Sequence, residues 1–242
     1  MAQGMNKLNE ALAALPEVRE LLLSLDAGTS PIAVSGLSGV HRAQLTAAVR
    51  HKTQRPLLIV CADENEANRM AGDLHELLGE DVSLLFAREW QLRDRVFASH
   101  GWEQQRIGSL CSLAAGKAPI LVATVDGLMQ RTRPPDALRG AVTDISLGDR
   151  FDLNALSKKL VESGYTRAET VEGGGQFALR GGILDVWSPL SAPVRVEFFD
   201  DEVDAMGEFD VTTQRRTQNV KSLTVLPAAE VLPALSDGGR EK

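Results

Sequence analysis

Two arginines set between glycine clusters are the residues best placed to do chemistry. Arg167 ends the run Gly164-Tyr165-Thr166-Arg167, and Arg180 lies in Gln176-Phe177-Ala178-Leu179-Arg180-Gly181-Gly182-Ile183-Leu184-Asp185-Val186-Trp187. Short apolar runs punctuated by glycines at 173–175 and 181–182 read as a β-ribbon with tight turns or bulges. An arginine pointing out of a half-buried sheet offers a planar fork that pairs bidentately with a partner's carboxylate. Two such residues on one exposed sheet face would hold their forks at a fixed separation. No nucleophile, base or metal cluster accompanies them, so the chemistry is that of a presented surface and not of a reaction centre. The competing account is two solvated arginines on an ordinary sheet face.

The second place where chemistry could reside is the loop Ser35-Gly36-Leu37-Ser38-Gly39, between an apolar run and a helix. A phosphate-binding loop there needs Gly-x-x-x-x-Gly-Lys-Ser/Thr. Counted from Gly36, the second glycine is His41, the lysine is Arg42 and the hydroxyl is Ala43. His41 puts a side chain where backbone must wrap phosphates, Arg42 cannot copy a compact lysine charge, and Ala43 removes the Mg²⁺ ligand. Nucleotide hydrolysis is therefore not expected. A weak phosphate site survives as a physical option, since the helix N-terminus keeps its free N–H groups and dipole.

Other clusters weigh less. Asp200-Asp201-Glu202 with Asp204 reads as a charged turn between strands before it reads as a metal site. His41, His51, His75 and His100 have no ligand spacing, and Met70 and Met129 read as core filler. Cys61 and Cys111 have no Cys-x-x-Cys partner, which suggests neither zinc nor a disulfide framework and fits a reducing cytoplasm. A formal charge of −7 over 242 residues argues against binding nucleic acid by bulk electrostatics, although Arg131, Arg133 and Arg139, and Arg215 and Arg216, form local basic clusters. Aromatic residues, at 5%, are too few for a base-stacking platform. No apolar run approaches the ~20 residues of a membrane span, and no charged-then-apolar leader opens the chain.

The elements that must position these residues fall into two grammars. Residues 5–27 read as two helices, 31–34 as a short buried strand, and the glycine loop leads into a helix to about His51. Strands at 57–61, 82–86 and 120–123 alternate with helices at 64–78, 102–115 and 125–130, which implies a mainly parallel sheet. After Arg131-Thr132-Arg133-Pro134-Pro135 come a strand at 141–146, a helix at 152–162 capped by Asp152, and clustered short strands at 176–180, 182–187, 194–199, 202–206 and 222–226. The expected fold is α/β: a degenerate P-loop or helicase-like parallel sheet domain over 1–130 with a small α+β insert over 131–218. Residues 219–242 form a return segment toward the first domain.

These residues also carry a resemblance. Gly-Tyr-Thr-Arg, then Phe-x-x-Arg-Gly-Gly-Ile-Leu-Asp-Val-Trp, then Val194-Arg195-Val196-Glu197-Phe198-Phe199-Asp200-Asp201-Glu202-Val203-Asp204, then Phe209-Asp210-x-x-x-Gln214-Arg215 resembles the N-terminal, UvrB-homologous region of the bacterial transcription-repair coupling factors (Mfd). The resemblance covers nearly the whole chain. It implies a first domain whose nucleotide loop (Gly36, Gly39, His41, Arg42, Ala43) is non-catalytic, with no cofactor and no metal. It implies that the insert binds UvrA, recruiting nucleotide excision repair to stalled RNA polymerase in the bacterial cytoplasm. RNA polymerase and DNA would be met only through other parts of the full-length family protein, whose ATP-dependent motor is not in this stretch. The Tyr-Thr-Arg motif gives Arg167 and the Phe-x-x-Arg motif gives Arg180 as UvrA contacts. A further arginine that UvrB carries two residues before the latter is Ala178 here. Phe177 and Trp187 are the candidates for the apolar part of the patch, and Trp187 either caps the insert's core or lies exposed beside Arg180. The alternative function is a DNA-binding or residual nucleotide-binding helicase-like domain.

Overall fold

The computed structural model describes residues 2–88 and 100–230. The chain divides into two compact units, Met1–Ala87 with Gly116–Gln130, and Arg88–Ala115 with Arg131–Lys242.

In the first unit, helices α1 (Ala2–Ala13), α2 (Pro16–Asp26) and α3 (Gly39–Thr53) precede strand β1 (Leu57–Cys61), helix α4 (Glu64–Leu78) and strand β2 (Ser83–Leu85). The ends of α4 follow from single residues. Asp63 accepts a hydrogen bond from the Glu66 amide at 2.8 Å, and Gly79 closes the helix in the left-handed region at φ 66°. Its inner stripe of Ala67, Met70, Ala71, Leu74 and Leu77 packs with α3 into a core over the sheet. In β1 the alternation sends Leu57, Ile59 and Cys61 into this core and leaves Leu58 and Val60 exposed. After helix α5 (His100–Ala114), which belongs to the second unit, strand β3 (Ile120–Thr124) and helix α6 (Val125–Met129) complete the first. β3 lies between β1 and β2, parallel to both.

Residues 31–34 correct the expectation of a buried strand. They form no ladder among the described residues, and Val34 is exposed. An apolar run becomes a strand only where an edge accepts its backbone, and no described strand does so. Met129 is likewise exposed and fills no core, whereas Met70 does.

The second unit adds helix α7 (Pro135–Ala141), strand β4 (Thr143–Ser146), helix α8 (Leu153–Glu162), and strands β5 (Thr166–Arg167), β6 (Gln176–Arg180), β7 (Ile183–Val186), β8 (Val194–Phe199), β9 (Glu202–Phe209), β10 (Arg216–Asn219) and β11 (Ser222–Val225). Six strands form a sheet in the order β10-β9-β8-β7-β6-β5, antiparallel except for β5 beside β6. β11 pairs antiparallel with β4, and the Ala228 amide donates to the Ser163 carbonyl at 2.8 Å. The segment expected to return to the first unit therefore runs within the second through the described residues. One sheet face is buried by Leu156 and Leu160 of α8 and by Ile145, Leu223 and Val225 of the β4/β11 ribbon. Asp152 caps α8 by accepting from the amides of Asn154 and Ala155.

Candidate partner-docking surface

Register decides which side chains share a face of the six-stranded sheet. Phe177 is opposite Val186 and Leu179 opposite Leu184, and these point into the main core. The alternate residues, Ala178 opposite Asp185 and Arg180 opposite Ile183, belong to the other face. Ile183 is in turn opposite Glu197, and Asp185 opposite Arg195. Phe199, two residues beyond Glu197 on β8, falls on this same face. It is 80% exposed at the β8–β9 turn, where Asp200 takes φ 58°. A further device fixes this end of the sheet. Gly182 supplies both an acceptor and room: its carbonyl accepts from the Phe198 amide at 2.7 Å, and a Cβ there would meet the Phe198 carbonyl oxygen at 2.9 Å. The glycine pair thus lets the β6–β7 turn sit against β8, gathering Arg180, Ile183 and Phe199 at one end of one face. From strand spacing and rise, Arg180 and Phe199 are roughly 12 Å apart along the sheet.

This places the expected site residues unequally. Arg180 is half-exposed and belongs to the row just described. Arg167 is exposed on the edge strand β5, but it is in register with Phe177, so it lies toward the other end and the other face. The two arginines do not share one face, which corrects that expectation. Phe177 is 0% exposed in the main core and presents nothing to a partner, which corrects its assignment. Phe177 and Arg180 are an odd number of residues apart, and strand alternation sends them to opposite sides. Trp187 is half-buried. It packs beside Val171, Ala178 and Phe209, and its indole N–H donates to the Ser191 carbonyl at 2.9 Å.

Sequence reasoning gave no role to Asp185 or Arg195, and the structure makes them the centre of this face. Asp185 is 0% exposed. Its Oδ1 accepts from Arg195 Nε at 2.6 Å, and its Oδ2 accepts from Arg195 Nη2 at 2.9 Å and Arg180 Nη2 at 2.7 Å. Arg195 also donates to the Gln214 carbonyl and side-chain oxygen, and its guanidinium stands 4.9 Å from the centroid of the Phe209 ring. The Asp185 hydrogen bond holds Arg195 charged, raising its pKa above the usual value. The sequence did contain a signal: Leu184-Asp185-Val186 and Val194-Arg195-Val196 each set one charged residue between two core-facing ones, which puts an acid and a base on the same kind of face of two successive strands.

The glycine loop is occupied by its own side chains. Arg42 pairs with Glu66 at 2.7 Å, Ser38 Oγ lies 3.0 Å from His41 Nδ1, and Ala43 is buried in the first unit's core. Gly36 takes φ 82°, and Gly39 begins α3. Glu66 also accepts from the Ala62 amide, and this bond, ahead of the Arg42 contact, holds its carboxyl below the usual range. The adjoining cleft of ≈ 480 Å³ is lined by Asp63, Glu66 and Asp73 against Arg42 and Arg69, a net negative lining that opposes phosphate. Among the described residues no group of three or more His, Cys, Asp or Glu could hold a metal, and no helix is long and apolar enough to cross a membrane. The basic clusters are partly spent internally, since Arg139 pairs with Asp136 and Arg216 with Glu197.

Residues 143–231 match the UvrB interaction domain family. The transcription-repair-coupling factor of Myxococcus xanthus is 34% identical over 210 residues, covering 83% of this chain and 18% of that protein. That of Bacillus subtilis (strain 168) is 29% identical over 231 residues, covering 94% of this chain and 20% of that protein. A Staphylococcus epidermidis protein of the same name is 28% identical over 211 residues, covering 85% of this chain and 18% of its own length. The chain spans about a fifth of the length of these curated relatives. Residues 143–231 thus match the UvrB interaction domain family, and the chain over most of its length is similar to the transcription-repair coupling factors.

Proposed function

We propose that the second unit is a non-catalytic docking module for UvrA, by which a transcription-repair coupling factor recruits nucleotide excision repair to stalled RNA polymerase. The observation that carries this reading is the exposed row Arg180, Ile183 and Phe199 on one face of the sheet. Arginine and aromatic residues dominate interface hot spots, and here they flank an aliphatic residue on rigid strands. Arg167 on the β5 edge is a peripheral contact. The first unit is a degenerate helicase-like domain, its nucleotide loop closed by the Arg42–Glu66 pair. RNA polymerase and DNA are engaged by other parts of the longer family protein, in the bacterial cytoplasm.

Titration of UvrA against the chain and single variants tests this. Removing one partner of a desolvated charge contact costs about 2–5 kcal/mol, whereas a solvated surface charge costs under about 1 kcal/mol. Arg180→Ala should weaken UvrA binding by more than about tenfold. Arg167→Ala should weaken it less, and Arg215→Ala not at all. Parent-like binding by Arg180→Ala would remove the docking assignment.

A further inference from the structure

Arg180 is about half exposed and yet hydrogen-bonded through two of its nitrogens. Its Nη2 donates to Asp185 Oδ2 at 2.7 Å and its Nη1 to the Glu169 carbonyl at 3.2 Å. Of the five N–H donors a guanidinium carries, two are thus held and three have no partner among the described residues. The anchoring carboxylate is itself immobilised, because Arg195 clamps both its oxygens and is in turn fixed by Gln214 and the Phe209 ring. The contacts form one chain: Phe209 and the half-buried Gln214, then Arg195, then the fully buried Asp185, then Arg180. At its outer end it leaves a planar cation with donors to spare, next to Ile183 and Phe199. Arg167 makes no side-chain hydrogen bond within the described residues, so the same chain presents one braced arginine and one unbraced.

We propose that Asp185 and Arg195 are positioning residues for docking: they brace the Arg180 fork in one orientation so that it receives a carboxylate of the partner without first being ordered. This rests on the docking reading above. The physical gain is preorganisation. An arginine side chain carries large rotamer freedom, and whatever part of it is already lost in the free protein is not lost again on binding. Charge fits as well. One anion between two guanidinium groups leaves a net positive charge at the outer end, which suits an acidic group on the partner and disfavours a basic one.

The test is a double-mutant cycle on UvrA binding with Asp185→Asn, Arg180→Ala and the double variant, together with NMR of the Arg180 guanidinium in the free parent chain. Asp185→Asn keeps the side-chain shape and removes the charge. It should weaken binding by about fivefold or more in the parent and by under about twofold once Arg180 is alanine, since contacting residues couple and independent ones add. Arg195→Lys, which keeps the charge but loses the two-pronged clamp, should act in the same direction and serves if Asp185→Asn fails to fold. The Arg180 guanidinium should rotate slowly in the free parent, and more slowly than that of Arg167. If Arg180→Ala binds like the parent, both the docking reading and this proposal fall. If Arg180→Ala weakens binding but Asp185→Asn weakens it equally in both backgrounds, only the positioning role falls. Fast rotation of Arg180 in the free parent overturns the brace whatever the binding data show.

Discussion

Two phenylalanines separate the proposed docking face from the core by magnitude. Phe199 is 80% exposed and Phe177 is 0% exposed, and both stand beside glycine or aspartate turns in the same sheet. Fully burying a phenylalanine side chain is worth about 1.5–3 kcal/mol, so covering the exposed four-fifths of Phe199 on docking contributes about 1–2.5 kcal/mol. Phe199→Ala should therefore weaken UvrA binding roughly 5- to 70-fold. It should change folding stability by no more than about 0.5 kcal/mol, as surface substitutions do. Phe177→Ala opens a cavity among residues of the main core and should cost about 3–5 kcal/mol. At about 2–4 °C for each kcal/mol in a chain of this size, the melting temperature falls about 6–20 °C. Scanning calorimetry gives the second number and titration of UvrA, below the melting range of each variant, gives the first. If Phe199→Ala binds like the parent, the face carrying Arg180 is not the interface. If Phe177→Ala melts near the parent, the assignment of the sheet's two faces is wrong.

The remaining expectations concern the first unit and the buried thiols. Calorimetry should find no tight, Mg²⁺-dependent ATP binding, because Arg42 is paired with Glu66 and the cleft lining is net negative; tight binding would overturn the account of the loop. Burial pushes the Cys111 thiol up to about 11 and also raises Cys61, so at pH 8 both should resist a thiol reagent in the native protein and react in denaturant. Fast native labelling of either would contradict that burial. The Ala62 amide and then Arg42 depress the Glu66 carboxyl, so its contribution to stability is full above the unfolded value and fades as pH falls through the folded one, below about pH 4. The melting difference between the parent and Glu66→Gln should shrink from pH 7 to pH 3, and a constant difference would refute the linkage.

Much of the architecture was legible because its signals are local. The Asp63 and Asp152 caps, the Gly79 stop and the buried stripe of α4 need only neighbours in sequence. β10 was missed because all four of its residues are exposed on a sheet edge, so no apolar alternation marks it. α7 was missed because Pro134-Pro135 read as a joint, although a proline at the first helical position is also a start signal. Residues 31–34 failed in the opposite sense: the composition is that of a strand, but pairing is non-local. At the candidate site, parity along β6 already excluded Phe177 from the face of Arg180. What no sequence pattern supplied was the register that sets Asp185 against Arg195, since that depends on which strands are neighbours.

Helix α5 lies in sequence between β2 and β3 of the first unit, yet it is part of the second. It brings Arg106, 2% exposed, whose Nε donates to Glu230 at 2.7 Å, a carboxylate that is also 2% exposed. The two units are thus woven through one another along the polypeptide. Cutting out residues 131–242 as a single piece would strand an interior acid without its counter-ion. A piece that keeps both cations with this acid has to begin at or before Arg88, whose Nε lies 3.3 Å from the same Glu230 carboxylate.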